Sequence, residues 1–381
     1  MRFKVPACAR REGTASCLRP HLWHQDSVVT IMACFPCGVA TVKHYFSMPP
    51  IIEVQDLTKE FRTFRRREGV WGALQNLFVR ERITVRAVES VSFSIETGEM
   101  VGYIGANGAG KSTTVKMLTG ILVPTGGRIV ANGSVPYRDR RHYTRHIGVV
   151  FGQRTQLWWD IAVIESFKLL KEIYEVSDAD YRRRLGVFSE ILNLKGYLNT
   201  PVRKLSLGER MRCDIAASLL HNPPVLFLDE PTIGLDVVAK DRIREFLKEV
   251  NRMEHTTVLL TTHDLSDIEE LCKRIIVIDR GKILFDGALR EMKARRAKYN
   301  QVKFILKDRS QVAGLARITA DGITCDRQDE LTYLMRFDRE RYSNADIIRN
   351  IVTTLEVSDI LVEEEPIEDI VKRIYLSGEV G

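Results

Sequence analysis

The alternation of apolar and polar residues divides the chain into stretches of different character. From residue 51 to about 152, short strand-like runs dominate. Ile51–Leu57 reads as a first strand, Val91–Ile95 alternates as a half-buried strand does, and Met100–Ile104 is a short apolar run that ends in a glycine-rich turn. Ser112–Leu122 then has helical spacing. Residues 154–222 change to three- and four-residue spacing, which predicts helices over Ile164–Tyr174, Asp180–Leu192 and Glu209–Leu220. From 223 to 280 strands and helices alternate again. Val225–Leu228, Thr257–Leu260 and Ile275–Ile278 are unbroken apolar runs of the kind a parallel sheet buries on both faces. Residues 301–381 read as a tail, with strands at Val302–Leu306 and Tyr333–Phe337 and a helix over Ala345–Leu355. The expected class is α/β: a sheet domain over 48–290, interrupted by an α-helical insert at 154–222, then a small α+β accessory domain over 291–381.

Residues 1–47 carry none of these periods. Met48 directly precedes the first strand, so the expectation is a start at Met48, with the earlier residues as upstream sequence or a disordered arm. Cys34-Phe-Pro-Cys37 is a single CxxC, without the second pair that metal ligation needs. The 44% hydrophobic content supplies a sizeable core and argues against disorder as the main state. Of the net charge of +7, residues 1–47 hold +4; the mildly basic remainder gives no reason to expect a nucleic-acid partner. Cys213, Cys272 and Cys325 are far apart, which spells no disulfide framework and fits a reducing compartment. No run of 18 apolar residues predicts a spanning helix; Val28–Val42 is short and broken by Pro36 and Gly38. The stretch Arg62–Arg86 interleaves Arg65, Arg66, Arg67, Arg80 and Arg82 with Phe64, Trp71, Leu74, Leu77 and Phe78. A solvated surface hairpin or helix is the simpler account, and contact with acidic lipid headgroups or a membrane partner the functional one.

Chemistry enters at Gly105-Ala-Asn-Gly-Ala-Gly-Lys111-Ser112, a full G-x-x-x-x-G-K-[ST] match placed after a strand and before a helix. The glycines let main-chain N–H groups converge on anionic oxygens, and the helix adds its positive end. Gly105, Asn107, Gly108, Gly110, Lys111, Ser112 and Thr113 are therefore the expected ATP contacts. Lys111 would reach the β- and γ-phosphates, and Ser112 would ligate Mg²⁺. Val225-Leu-Phe-Leu-Asp229-Glu230 ends a buried strand in two carboxylates, costly to bury without compensation. Asp229 suits Mg²⁺. Glu230, on the other side of the strand, suits a general base toward the attacking water.

With these motifs, Leu205-Ser206-Leu207-Gly208-Glu209 resembles the signature sequence of the ATP-binding-cassette (ABC) ATPases, usually Leu-Ser-Gly-Gly-Gln, from which Leu207 and Glu209 depart. The resemblance covers roughly residues 51–285 and implies a P-loop NTPase fold: a RecA-like mixed sheet core with an antiparallel β subdomain and the helical insert. It implies further roles. Gln153 would touch Mg²⁺ and the attacking water, Asp236 would lie in the loop that crosses a dimer interface, His263 would contact the γ-phosphate, and Phe61, with Phe64 as a rival, would stack on adenine. Ser206 and Gly208 of one copy would meet the triphosphate held by Lys111 of another, so that ATP joins two chains head-to-tail, as a homodimer or with a second ATPase subunit.

Pro231–Asp236, Ile121–Thr125 and the segment Ile360–Ile370 resemble the ABC-2 exporter branch that handles drugs and other toxic compounds, and Phe151–Asp160 a viologen-type subgroup. That branch implies ABC-2 type transmembrane permease partners and a peripheral place at the cytoplasmic face of the membrane. Trp158 and Trp159 are either a partner socket or core of the helical insert. A non-transport ATPase acting on ribosomes or DNA is the competing reading. One cassette without a long coiled coil disfavours it, while Glu230 and His263 disfavour a binding protein that barely hydrolyses.

Overall fold

The computed structural model describes residues 31–35, 38–42, 49–64, 82–152, 154–319 and 322–377. The chain forms two units, Met1–Pro49 and Pro50–Gly381. In the first, β1 (Ile31–Phe35) and β2 (Gly38–Val42) pair antiparallel, from Ile31↔Val42 to Phe35↔Gly38. A ribbon thus stands where the sequence reading expects no regular element. The side chains of Cys34 and Cys37 lie outside the described residues.

The second unit opens with a long antiparallel hairpin, β3 (Ile52–Phe64) and β4 (Arg82–Ile95), in register from Ile52↔Ile95 to Phe64↔Arg82. The segment between them, with most of the arginines noted above, lies outside the described residues. Next come β5 (Met100–Gly105), α1 (Lys111–Leu118), β6 (Gly126–Ala131) and β7 (Ile147–Phe151). The insert contributes α2 (Val163–Ile173), α3 (Asp178–Ile191) and α4 (Leu207–Leu219). The chain then runs through β8 (Val225–Asp229), α5 (Val237–Glu254), β9 (Thr257–Thr261), α6 (Leu265–Leu271), β10 (Arg274–Asp279), β11 (Lys282–Ala288) and α7 (Leu289–Arg296).

Six strands form the central sheet in the order β11-β10-β5-β9-β8-β7, parallel throughout except β11. A separate antiparallel sheet has the order β4-β3-β6. Side chains of the central strands alternate between two cores. Leu226, Leu228, Val258, Leu260, Ile275 and Val277 pack with Phe167, Phe188 and Phe246 of the helices. Val225, Phe227, Leu259 and Ile276 pack with Val115 and Leu118 of α1 and with Ile52, Leu57 and Phe93 of the antiparallel sheet. Burial on both faces is why these strands read as unbroken apolar runs.

One helix is shorter than its spacing predicts. α1 stops at Leu118 rather than Leu122, because Gly120 takes a left-handed conformation (φ +74°) where a Cβ would come within 2.6 Å of the Pro136 carbonyl oxygen.

Beyond α7, β12 (Tyr299–Leu306), β13 (Ile323–Arg327), β14 (Thr332–Asp338), α8 (Asn344–Thr354) and β15 (Val357–Glu364) build an antiparallel sheet in the order β13-β14-β12-β15. Its own core holds Val302, Phe304, Met335 and Phe337, covered by Ile347 and Ile351 of α8. The final helix α9 (Ile367–Ser377) does not belong to that core. Ile367, Ile370, Val371 and Ile374, spaced to form one stripe, bury in the ATPase-side core with Leu284, Leu289 and Met292. The buried Glu365 anchors its start by pairing with Arg373 and accepting a hydrogen bond from the Lys298 amide (3.0 Å). The tail is therefore tied to the ATPase-side core through α7 at its start and α9 at its end.

Candidate nucleotide site

The sequence Gly-Ala-Gly-Lys after β5 folds as it does because two of its positions accept only glycine. Gly108 and Gly110 have φ of +83° and +112°, and a Cβ on Gly110 would lie 2.5 Å from the Ala87 carbonyl oxygen of β4. Gly110 is also the N-cap of α1, which makes no side-chain cap hydrogen bond, so the first turn keeps its backbone donors for an anion. Lys111 is buried and curls over the loop, donating to the Gly105 and Ala106 carbonyls at 2.7 and 3.3 Å. Burial lowers its pKa, against the pull of Glu230 and Asp229.

Across the loop, Asp229 at the end of β8 accepts from the hydroxyls of Thr261 (2.6 Å) and Ser112 (3.3 Å) through one oxygen. Glu230 follows in a left-handed conformation (φ +55°), fixed by its amide donating to the Thr261 carbonyl at 2.9 Å. His263 Nδ1 stands 3.4 Å from Glu230 Oε2. Asn107, Ser112, Asp229, Glu230 and His263 line one cavity of about 650 Å³. Gly152 and Arg154 line it too, and Gln153 between them lies outside the described residues. Among the described residues no three His, Cys, Asp or Glu side chains cluster for a metal. The hydroxyl of Ser112 and the carboxylate of Asp229 form a hard, two-oxygen donor set. That set fits Mg²⁺, which keeps waters and takes substrate phosphate oxygens rather than demanding a protein cage.

The predicted residues Ser206, Gly208, Asp236 and Phe61 do not line this cavity. Ser206 caps α4: its Oγ accepts from the Glu209 amide (3.3 Å), and the Glu209 carboxylate accepts from the Ser206 amide (2.9 Å) and hydroxyl (2.8 Å). Glutamine, the usual residue at this position, could make the same reciprocal cap, so Glu209 keeps the local geometry of the signature. Gly208 lies in the first turn of α4 beside Ala239. Asp236 caps α5 by accepting from the Ala239 amide at 2.8 Å. Phe61 projects from β3, partly exposed and opposite Val85, two residues before the Ala87 carbonyl that packs on Gly110. The side chain of its rival Phe64 lies outside the described residues.

Sequence reasoning missed several positioning residues. Thr261 is one. Gly152 is another, since a Cβ there would come 2.1 Å from the Glu230 carbonyl oxygen. The fully buried Asp267 accepts from Arg244 Nε (2.7 Å), Thr232 Oγ1 (2.5 Å) and Thr262 Oγ1 (3.4 Å), which joins the loop after Glu230 to the loop before His263. Arg244 and Asp267 are far apart in sequence, and nothing in their local pattern marks them as a pair. On the helical insert, Trp158 and Trp159 are exposed, as are Leu169 and Ile173, so the tryptophans are not insert core. Asp214 of α4 is buried and accepts from Thr155 Oγ1 (2.9 Å) and the Gln156 amide (3.0 Å). Burial raises its pKa to about 6. Cys213 and Cys272 are buried free thiols, and burial pushes Cys272 up to about 12.

A phosphate loop between a parallel strand and a helix, with an acidic strand end beside it, defines a P-loop nucleotide-binding domain. The ABC transporter family model matches residues 88–233. The ABC transporter ATP-binding protein NatA of Bacillus subtilis is 33% identical over 56% of this chain and 87% of its own length. YbhF of Escherichia coli, a probable multidrug ABC transporter ATP-binding protein, is 32% identical over 66% of this chain but only 39% of its own length. The methionine import ATP-binding protein MetN of Geobacillus kaustophilus is 36% identical over 54% and 60%. Among solved structures, a dimeric post-hydrolysis state of the ATP-binding cassette MJ0796 with ADP and Pi superposes with a TM-score of 0.52 at 26% identity, covering 62% of this chain and 98% of that one. The chain belongs to the ABC transporter family, as an ATP-binding subunit and ATPase.

Proposed function

We propose that two copies of this chain, or this chain and a second ATPase subunit, close head-to-tail around ATP and drive an ABC-2 type export permease. The observation that carries the catalytic part is the convergence of Asn107, Ser112, Asp229, Glu230 and His263, from three separate segments, on one cavity. Lys111 and the uncapped first turn of α1, with Gly105, Gly108, Gly110 and Thr113, hold the β- and γ-phosphates. Ser112, Asp229 and Gln153 hold Mg²⁺, which supplies charge neutralisation along the phosphates. Glu230 orients and deprotonates the attacking water, and His263, held against Glu230, meets the γ-phosphate side. Phe61 stacks on the base. Ser206, Gly208 and Asp236, absent from this chain's own cavity, serve the nucleotide of the other copy. The test is steady-state ATP hydrolysis: the rate per chain should rise with protein concentration, and Glu230→Gln should bind ATP yet lose turnover at least about 100-fold. Unchanged turnover in that variant would refute the assignment of the base.

Export is supported by the segments that resemble the ABC-2 branch and by the multidrug description of YbhF, while MetN is described as an import protein. The exposed Trp158–Trp159 pair is the surface suited to a helical segment of the permease. No described helix is long and apolar enough to cross a membrane, so attachment through that partner at the cytoplasmic face is the proposed location. Loss of drug or viologen tolerance on deleting the chain would support export. Loss of uptake of a nutrient instead would replace it with import.

A further inference from the structure

The segment that carries the tryptophan pair is gripped from one direction. Arg210 and Asp214 lie one turn apart on the same side of α4, the helix that Ser206 caps. Asp214 accepts from Thr155 Oγ1 and from the Gln156 amide through a single oxygen, and the Gln156 side chain donates back to the Asp214 carbonyl at 2.8 Å. Arg210 lies over the Trp159 ring, 5.4 Å from its centroid. The segment's other ties lead to the same body: the Trp158 amide donates to Ser166 Oγ (3.2 Å) of α2, and the Arg203 amide to the Trp159 carbonyl (3.0 Å) just before Ser206. At its near end, the Gly152 amide donates to the Asp229 carbonyl (2.8 Å) on the nucleotide side. The exposed tryptophans are therefore not a free loop.

We infer that Asp214 is a positioning residue that locks the Trp158–Trp159 shelf to the helix presenting Ser206, so that the partner-facing surface and the signature serine move as one piece. A carboxylate is taken out of water here with neutral donors as its nearest partners, an arrangement that costs stability and has no packing advantage over the apolar residues that fill the rest of this helix face. What it provides is directional: two hydrogen bonds onto the stretch between the cavity edge and the shelf. The inference deepens the proposed function, because it takes Ser206 as acting on the other copy's nucleotide.

The test combines amide hydrogen exchange on the full chain with ATPase kinetics. Asp214→Ala should speed exchange at Gln156–Trp158 by roughly tenfold or more, the loss expected for hydrogen bonds to a charged acceptor, while exchange within residues 211–219 stays unchanged. It should lower kcat by about tenfold with the KM for ATP unchanged, since the chain's own phosphate loop is intact. Asp214→Asn keeps the accepting oxygen and should restore both. Thr155→Val, on the other side of the contact, should reproduce a smaller version of the alanine effect and decides the matter if Asp214→Ala does not fold. Exchange at 156–158 that ignores both variants, or that Asn fails to restore, overturns the clamp. If the wild-type chain shows no ATP turnover, the proposed function fails, yet the exchange arm still decides the clamp.

Discussion

Two helix N-termini in this chain are built in opposite ways. α1 begins at Gly110, which has no side chain, so the donors of its first turn are unclaimed. α4 begins at Ser206, whose hydroxyl and amide are already engaged with Glu209. The first is a finished anion site that needs only its ligand. The second is closed on itself, and its serine must turn from Glu209 to serve a phosphate. Under the proposed head-to-tail arrangement, one helix holds the chain's own nucleotide and the other is kept for the nucleotide of a second copy.

Mixing variants tests that division most severely. Lys111→Ala and Ser206→Ala homodimers should each lose most ATP turnover, about 100-fold or more for Lys111→Ala. Mixed together they should regain a substantial fraction, because one site then pairs an intact Lys111 with an intact Ser206. No recovery on mixing would mean that both helices serve the same chain. Next in size, Gly110→Ala should abolish nucleotide binding and cost roughly 1–3 kcal/mol in denaturant unfolding, since a Cβ there meets both a positive φ and the Ala87 carbonyl. Ser206→Ala should leave nucleotide binding to a single chain intact and cost about 1 kcal/mol through the lost cap. Glu209→Gln should change stability by less than about 0.5 kcal/mol, since either side chain closes the capping box, whereas Glu209→Ala should approach the serine variant.

The pH dependence of α4 offers a finer measurement. Asp214 is raised to about 6 in the folded chain from an ordinary value of 3.8. Between those values the native state binds the proton and the unfolded chain does not, so stability falls as pH rises through that window and levels off above it. The decline should be about 3 kcal/mol and should vanish in Asp214→Asn. A stability curve that Asp214→Asn leaves unchanged would mean that another group titrates there.

The same contrast explains what could be read from residues alone. The phosphate loop was legible because its requirement is local: glycines at fixed offsets, then lysine and serine, between a strand and a helix. The three buried strands were legible because burial on both faces leaves an unbroken apolar run. The triangle of Thr232, Arg244 and Asp267 was not, since its members come from different elements and each alone is an ordinary polar residue. Gly120 as a helix stop and Gly152 as a close-approach glycine were visible as letters, but their reason lies in the carbonyls of Pro136 and Glu230, which only the folded chain brings near. The closing helix was legible in principle, because Ile367, Ile370, Val371 and Ile374 form a stripe, but spacing does not say which core receives it.

That closing helix has a mechanical consequence. The small sheet β13-β14-β12-β15 leaves the ATPase core at α7 and is returned to it by α9, with Leu289 and Met292 at one foot and Ile370 and Ile374 at the other. A body hung from one linker can swivel, whereas one fixed at two feet behaves as a bracket. Any tilt of this sheet must then strain the shared core in which both feet are buried, a core that also holds Ile275 and Val277 of the strand next to the phosphate-loop strand.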